Sequence, residues 1–267
     1  MRLTVVGCSG SMSGPTSAAS SYLLQADGTD PGSGRPRSYN VLLDCGPGAF
    51  GALMNHLDPA ELDLVALSHL HADHIADLIG MHVFRRYHPQ GAMGPVPVLA
   101  PAGAVDRVRG VGGDDADETY AGEFTFHEHR PGSTVTVGPM RIESFEVRHP
   151  VPAYGLRVTG PSDRDGVDRE VTVGYTGDTD SCRGAEDMAR DVDLLLCEAA
   201  FVESRQEPRG LHLTGWRAGE LAATARVRRM VLTHLQPWTP PDVVLEEAAQ
   251  VWSGPVEVAE AGASWVV

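Results

Sequence analysis

Three histidines and two aspartates share residues 67–78, LSHLHADHIADL, and four of these residues, His69, His71, Asp73 and His74, follow the spacing H-x-H-x-D-H. Imidazole nitrogens and carboxylate oxygens are a donor set that zinc accepts, but so short a segment cannot close two metal sites alone. Further donors must come from elsewhere. Three candidates end apolar, strand-like runs: His149 in SFEVRHP, Asp178 in VTVGYTGD and His234 in RMVLTH. Strand ends at one edge of a sheet share a rim, so these three can reach the cluster. Together the donors serve two metals, each with a position left for water. His69, His71 and His149 would hold one ion, Asp73, His74 and His234 the other, and Asp178 would bridge. Two ions ~3.5–4 Å apart share a hydroxide and clamp a phosphoryl or acyl oxygen, which is the chemistry of hydrolysis.

The elements that must position these donors are legible as periodicity and punctuation. RLTVVG (2–7), SSYLLQA (20–26) and NVLLDCG (40–46) read as three strands opening an antiparallel sheet, with CSGSMSGPTSAAS as a loop and DGTDPGSGRPRS (27–38) as a turn-rich hairpin loop. GPGAFGALMNHL reads as a helix. Asp58-Pro59-Ala60-Glu61 reads as a helix start, with Asp58 as N-cap. LDLVALS (62–68) is then a buried strand running into the histidines. IADLIGMHVFRRYH follows with helical spacing, placing Leu78, Met81 and Phe84 on one face. The metal motif therefore lies on a strand-to-helix loop. GPVPVLAP (94–101) is a strand, residues 103–122 a short helix and loop, and residues 124–178 a run of alternating strands. Strand–helix alternation closes the chain, with a helix capped near Thr214, another in PPDVVLEEAAQVW, and VEVAEAGASWVV as one last strand. The order predicts an α+β fold: an αββα sandwich of two mixed sheets with helices on the outer faces, as a single domain over residues 1–267.

Bulk properties narrow the partners. The chain of 267 residues is 42% hydrophobic, ample for a core, and its formal net charge is -15. An acidic surface repels polyanions at long range. Every basic residue is arginine, so any phosphate contact must come from guanidinium, imidazole or backbone N–H. Cys8, Cys45, Cys182 and Cys197 form no C-x-x-C pair, and Cys45 and Cys197 sit in apolar runs as core residues. MRLTVVGCSGS carries too short an apolar run for a signal peptide and no stretch approaches a membrane span, so the cytoplasm is the expected compartment. Ser9, Ser11 and Ser13, with Gly7 and Gly10, line a loop whose N–H groups are candidates to approach phosphate. Arg85, Arg86 and Tyr87 read as a solvated face, and His127 and His129 as one face of a strand rather than a ligand pair.

SHLHADH, His149, the TGDT of residues 176–179 and the THL of residues 233–235 together resemble the metallo-β-lactamase superfamily, in order and over essentially the whole chain. The resemblance implies the αββα fold and a two-metal hydrolase. His71 stands where flavin-linked diiron relatives carry Glu, and no cysteine occupies a ligand position as it often does in drug-hydrolysing β-lactamases. Both departures point to two Zn²⁺, with Mn²⁺ as the alternative by ligand type.

Within that superfamily, Glu198 in CEAAF followed by His212 in HLT is similar to the acid–histidine pair of the tRNA 3′-processing branch (RNase Z), as are GCSGSMSGPTSAASSYLL and HPVPAYGLRV (149–158). There the pair helps protonate the leaving oxygen. Physical chemistry supports the same role, because a departing alkoxide needs an acid and a neighbouring carboxylate keeps a histidine protonated. Asp73, Glu198 and His212 are thus the expected catalytic residues, and Ser9, Ser11 and His212 the expected substrate contacts. The chain departs from that branch in one place. The usual bacterial form carries a long Gly/Pro-rich, basic arm between the third histidine and the bridging aspartate, which grips tRNA. Here only residues 150–177 separate His149 from Asp178, and their turn PSDRDGVD is as acidic as it is basic. The resemblance then points to cyclic-nucleotide phosphodiesterases of the same fold. The expected substrate is a small phosphodiester such as 3′,5′-cyclic AMP rather than a long nucleic acid, with no membrane partner; relatives in this branch are often homodimers, but no interface stripe is legible in the sequence. An RNase Z-like ribonuclease is the alternative, followed by a lactone or thioester hydrolase.

Overall fold

In the computed structural model, which describes residues 1–164, 166–205 and 207–267, two sheets face each other across a shared core. The first holds β1 (Arg2–Ser9), the short β2 (Ala18–Ala19), β3 (Ser21–Thr29), β4 (Pro36–Leu43), β5 (Leu64–Ala66), β6 (Val96–Ala100) and β7 (Phe124–Glu128). The second holds β8 (Thr134–Val137), β9 (Met140–Val147), β10 (Ala153–Pro161), β11 (Glu170–Tyr175), β12 (Leu194–Glu198), β13 (Met230–Thr233) and β14 (Val256–Val258). A last strand, β15 (Ser264–Val266), returns to the first sheet beside β1. Spatial orders are β15-β1-β3-β4-β5-β6-β7, with β2 on β1, and β14-β13-β12-β11-β10-β9-β8. Both sheets are mixed. β3, β4, β9 and β10 pair antiparallel, whereas β4 to β7 and β11 to β14 run parallel.

Alternation along the strands explains the layering. Tyr22, Leu24, Val41 and Leu43 point between the sheets, where they meet Leu156, Val158, Val173, Tyr175 and Leu196. Leu23, Leu42, Val65 and Leu67 point the other way, onto α1 (Ala49–Leu53), α3 (Leu78–Tyr87) and α4 (Ala104–Gly112) through Phe50, Leu53, Leu78, Met81 and Val108. On the opposite side Leu195, Cys197, Met230 and Leu232 cover α5 (Arg183–Ala189), α6 (Gly215–Ala225) and α7 (Pro241–Ala249). Strands buried on both faces read as continuous apolar runs, which is why YLL, VLL and LLLC lack polar alternation. The αββα arrangement and the buried Cys45 and Cys197 follow the sequence expectation. Among the described residues no helix is long and apolar enough to cross a membrane.

Several boundaries differ from expectation. The motif helix is two pieces, α2 (Ala72–Ile75) and α3, because Asp77 turns between them and accepts the Phe50 N–H at the start of α1 at 2.9 Å. Asp58 does cap, accepting from Ala60 N, but only a 3-10 turn over Pro59–Glu61 fits before the chain must extend into β5 beside β4. VEVAEAGASWVV is two strands in different sheets. The small residues Ala259–Ala263 turn at Gly262 (φ +85°) and carry the chain from one layer to the other. Arg85 and Arg86 are not a solvated face. Arg85 is buried and donates to the Gly94 carbonyl, and Arg86 is clamped by Glu118 at 2.7 Å and Glu123 at 2.9 Å. Tyr87 alone is exposed.

Candidate metal centre

Parallel neighbours in one sheet end on the same edge, and there Asp178 follows β11, Glu198 ends β12 and His234 follows β13. His69 follows β5 of the facing sheet and meets that edge, with its Nε2 3.7 Å from Asp178 Oδ2. β9 runs in the sense of β11, so His149 arrives at that edge too. Ligand sites gather at the carboxyl ends of such strands. α2 adds the rest, with His71 at its N-cap and Asp73 and His74 in its single turn.

The donors fall into the two groups expected. Ligand atoms of His69, His71 and His149 lie within 4.8 Å of one another, as do those of Asp73, His74, Asp178 and His234. His71 Nδ1 is 3.1 Å from His69 Nε2 and 3.1 Å from His149 Nε2. Three nitrogens bound to one zinc at ~2.0–2.1 Å would sit about 3.3 Å apart at tetrahedral angles. Asp178 lies between the groups: one oxygen is 3.2 Å from His74 Nε2, the other 3.3 Å from His234 Nε2 and 3.7 Å from His69 Nε2. Asp73 Oδ2 is 3.5 Å from His74 Nε2 and 3.8 Å from His234 Nε2.

Two observations test whether a metal fits. First, His74 Nε2, His234 Nε2 and Asp178 Oδ1 are buried without a hydrogen-bond partner among the described residues. Burying such atoms unmatched is costly unless an ion takes their lone pairs. Second, the far nitrogens are occupied by other groups: His74 Nδ1 by Asp44 at 2.7 Å, His234 Nδ1 by Ser20 Oγ at 2.8 Å and His149 Nδ1 by the Leu211 carbonyl at 2.8 Å. A partner on one ring nitrogen fixes the tautomer and aims the other inward, the arrangement of metal-binding histidines. Burial holds His69, His71, His149 and His234 below the ordinary histidine range, in the neutral form that ligation requires. His74 moves upward instead: burial opposes its charge, but the Asp178 and Asp44 carboxylates on either side outweigh it. A cation is therefore wanted at this point, and a metal would supply it.

Asp44 is the residue that sequence reading missed. It is fully buried, at φ +57°, and its carboxylate accepts from Ser68 N (2.6 Å), Ser68 Oγ (2.7 Å), His74 Nδ1 and Tyr175 Oη (2.6 Å). The available signal was an acid ending the apolar run VLLDC.

Glu198 and His212 also meet. His212 Nδ1 is 2.9 Å from Glu198 Oε1 and 3.9 Å from Asp178 Oδ2. Glu198 is oriented by Thr179 N at 2.9 Å and Ala200 N at 3.1 Å. Burial disfavours the imidazolium, but Glu198, Asp178 and Asp73 overcome it and push the His212 pKa up to about 9.

The serines behave differently. Ser9 is buried with its hydroxyl unpaired among the described residues, and it lines a cavity of about 480 Å³ with Cys8, Ser17, Thr239 and Glu260, to which none of the seven candidate ligands contributes. Ser11 is exposed at a left-handed position (φ +61°). Gly10 spends its N–H on the Leu235 carbonyl at 2.9 Å rather than offering it to a ligand. The Ser9 side chain thus lines that cavity rather than the metal donors, although its backbone bridges Leu235, next to His234. His129 is likewise no ligand: it is buried, bonded to Ser144 Oγ and the Leu67 carbonyl, each at 2.8 Å.

A fold of two facing mixed sheets with histidines and aspartates gathered at one edge defines the metallo-β-lactamase class. The family model described as the beta-lactamase superfamily domain matches residues 39–235, and the chain belongs to that family. It is 41% identical over 263 residues to the uncharacterized protein Rv1339 of Mycobacterium tuberculosis, covering 96% of this chain and 88% of that protein. The crystal structure of the metallo-β-lactamase fold protein YhfI from Bacillus subtilis superposes with a TM-score of 0.80 at 27% identity, covering 99% of this chain and 98% of that one. A ribonuclease Z of Haloferax volcanii is 29% identical over 310 residues, covering 98% and 93%.

Proposed function

We propose that this protein is a dinuclear-metal phosphodiesterase that hydrolyses small cyclic nucleotides, such as 3′,5′-cyclic AMP, to nucleoside 5′-monophosphates. The observation that carries the reading is the buried Glu198–His212 pair beside Asp178. An ester with an alkoxide leaving group needs a proton donor at that position, whereas an activated ester does not.

The residues divide the work by chemistry. His69, His71 and His149 would hold one ion and Asp73, His74 and His234 the other, with Asp178 between them. Two Zn²⁺, or Mn²⁺ in their place, would supply an activated water and neutralise the phosphoryl oxygens. A water oxygen adds to phosphorus, its proton passing to solvent, as the bond to the ribose 3′ oxygen breaks. His212 donates its proton to that departing oxygen, and Glu198 stabilises the imidazolium beforehand.

A small substrate is supported by what the chain offers outside the centre. β10 and β11 pair antiparallel from Leu156↔Tyr175 to Pro161↔Glu170, so only eight residues, 162–169, join them where a long arm would have to be inserted. With a net charge of -15 and no lysine, a long RNA finds little to hold. The similarity to ribonuclease Z favours a second reading, cleavage of RNA 3′ ends. A ³¹P NMR time course of 3′,5′-cyclic AMP with zinc- or manganese-loaded protein, against an EDTA-treated control, separates the two. A metal-dependent 5′-monophosphate signal is expected. No turnover by protein with both metals bound would refute the cyclic-nucleotide reading.

A further inference from the structure

One buried cation outside the metal donors is tied to the acid loop and to the strand end that carries Asp178. Arg217, in the first turn of α6, has only 4% of its side chain exposed. Its Nη1 donates to the His212 carbonyl at 3.1 Å and to Asp180 Oδ1 at 3.3 Å, and its Nε lies 3.0 Å from Glu203 Oε2. Asp180 is buried as well and stands two residues beyond Asp178. It accepts the N–H of Gly210 at 2.6 Å and of Ser181 at 2.7 Å, and Arg209 Nη1 lies 3.5 Å from it. Its backbone bridges to Arg148, the residue before His149.

These contacts fix described residues of the loop from 199 to 214, between β12 and α6, on both sides of His212. That loop places two groups at the centre: His212 against Glu198, and the Leu211 carbonyl against His149 Nδ1. Around its described residues it has one 3-10 turn, Glu203–Arg205, and a left-handed glycine, Gly210 (φ +82°). Thr214 Oγ1 closes its base on Glu203 at 2.6 Å. Segments with little regular structure open easily, yet a proton donor must stay within hydrogen-bond reach of the leaving oxygen. An arginine suits the task because its planar fork serves acceptors in different directions at once, which a lysine ammonium on its flexible stem does less well.

We propose that Arg217 and Asp180 form a positioning clamp that holds His212 on the leaving-group side of the centre without touching substrate. The inference rests on the acid role given to His212 above. Two substrates separate positioning from general stability. 3′,5′-Cyclic AMP releases an alkoxide that needs a proton, and bis(p-nitrophenyl) phosphate releases a phenolate that does not. Metal-loaded Arg217→Lys, Asp180→Asn and His212→Ala are compared on both, with metal content and Tm measured alongside. Asp180→Asn keeps side-chain size, so it serves if Arg217→Lys folds poorly.

The clamp variants are expected to lose kcat on the cyclic nucleotide by on the order of 10–100-fold, the scale of an ångström misplacement. On the aryl ester, with rates taken per bound metal because the same loop carries the Leu211 carbonyl that meets His149, they are expected to lose less than about 3-fold, with KM near wild type. Equal losses on both substrates, or no loss, overturn the clamp. If His212→Ala is selective and the clamp variants are not, the clamp alone falls. If His212→Ala is itself unselective, the acid assignment falls and takes the clamp with it.

Discussion

Replacing Glu198 with glutamine removes a charge while keeping the shape, and the consequence for His212 can be worked through. The His212 pKa stands at about 9 against an ordinary 6.5, although burial works against its charge; Glu198 leads the groups that raise it. In Glu198→Gln the burial remains and the leading attraction goes, leaving only those of Asp178 and Asp73, so the pKa falls toward the ordinary 6.5. The acid must be protonated to act, so activity is present below its pKa and lost above it. At pH 8 an imidazole of pKa 9 is roughly 90% protonated and one of pKa 6.5 roughly 3%, a loss of about 30-fold. At pH 6 the same values are roughly 100% and 76%, a loss under about 2-fold. Initial rates of 5′-monophosphate release from about pH 5.5 to 9.5 read this directly, as an alkaline limb displaced to lower pH in the variant. A variant whose limb stays with wild type, or whose loss is the same at pH 6 and pH 8, would refute the reasoning.

Two further substitutions probe the frame around the site. Asp44→Asn leaves an amide among four donors, so it should weaken metal binding by about 10–100-fold in a chelator competition, the usual cost of losing an outer partner of a metal histidine. Unchanged affinity would show that Asp44 acts on folding alone. Gly10→Ala would place a methyl 2.0 Å from the His234 carbonyl, at a residue already strained at φ +58°. Denaturant unfolding should show a loss of at least about 1–3 kcal/mol, and a variant as stable as wild type would mean that the backbone there gives way freely.

The candidate ligand cluster was legible because its chemistry constrains residue type. Only a few side chains bind metal ions, and H-x-H-x-D-H with strand-end donors foreshadows the gathering of histidines and aspartates. The layer order was legible because burial on two faces writes continuous apolar runs such as VLL and LLLC. The Ser9 side chain faces away from the candidate metal donors for a definite reason. The pairing of β1 slips between Val5 and Gly7 against β3, and again between Gly7 and Ser9 against β2. A one-residue irregularity turns the following side chains to the other face, and nothing in GCSGS marks it. Likewise VEVAEAGASWVV keeps strand-like composition on both sides of the turn that sends its halves into different sheets.

From its residues alone this protein is an αββα sandwich of the metallo-β-lactamase type, with a histidine–aspartate cluster suited to metal and an acid–histidine pair beside it. Tertiary structure decided which groups hold those residues in place. Asp44 reaches His74 and Tyr175, Ser20 reaches His234, and Arg217 joins Asp180 to the His212 carbonyl. A metal ligand is chosen by its own donor atom, which sequence displays. A supporting carboxylate or guanidinium is chosen by its partners, and those partners meet only when strands and helices distant in the chain close around a core that excludes water.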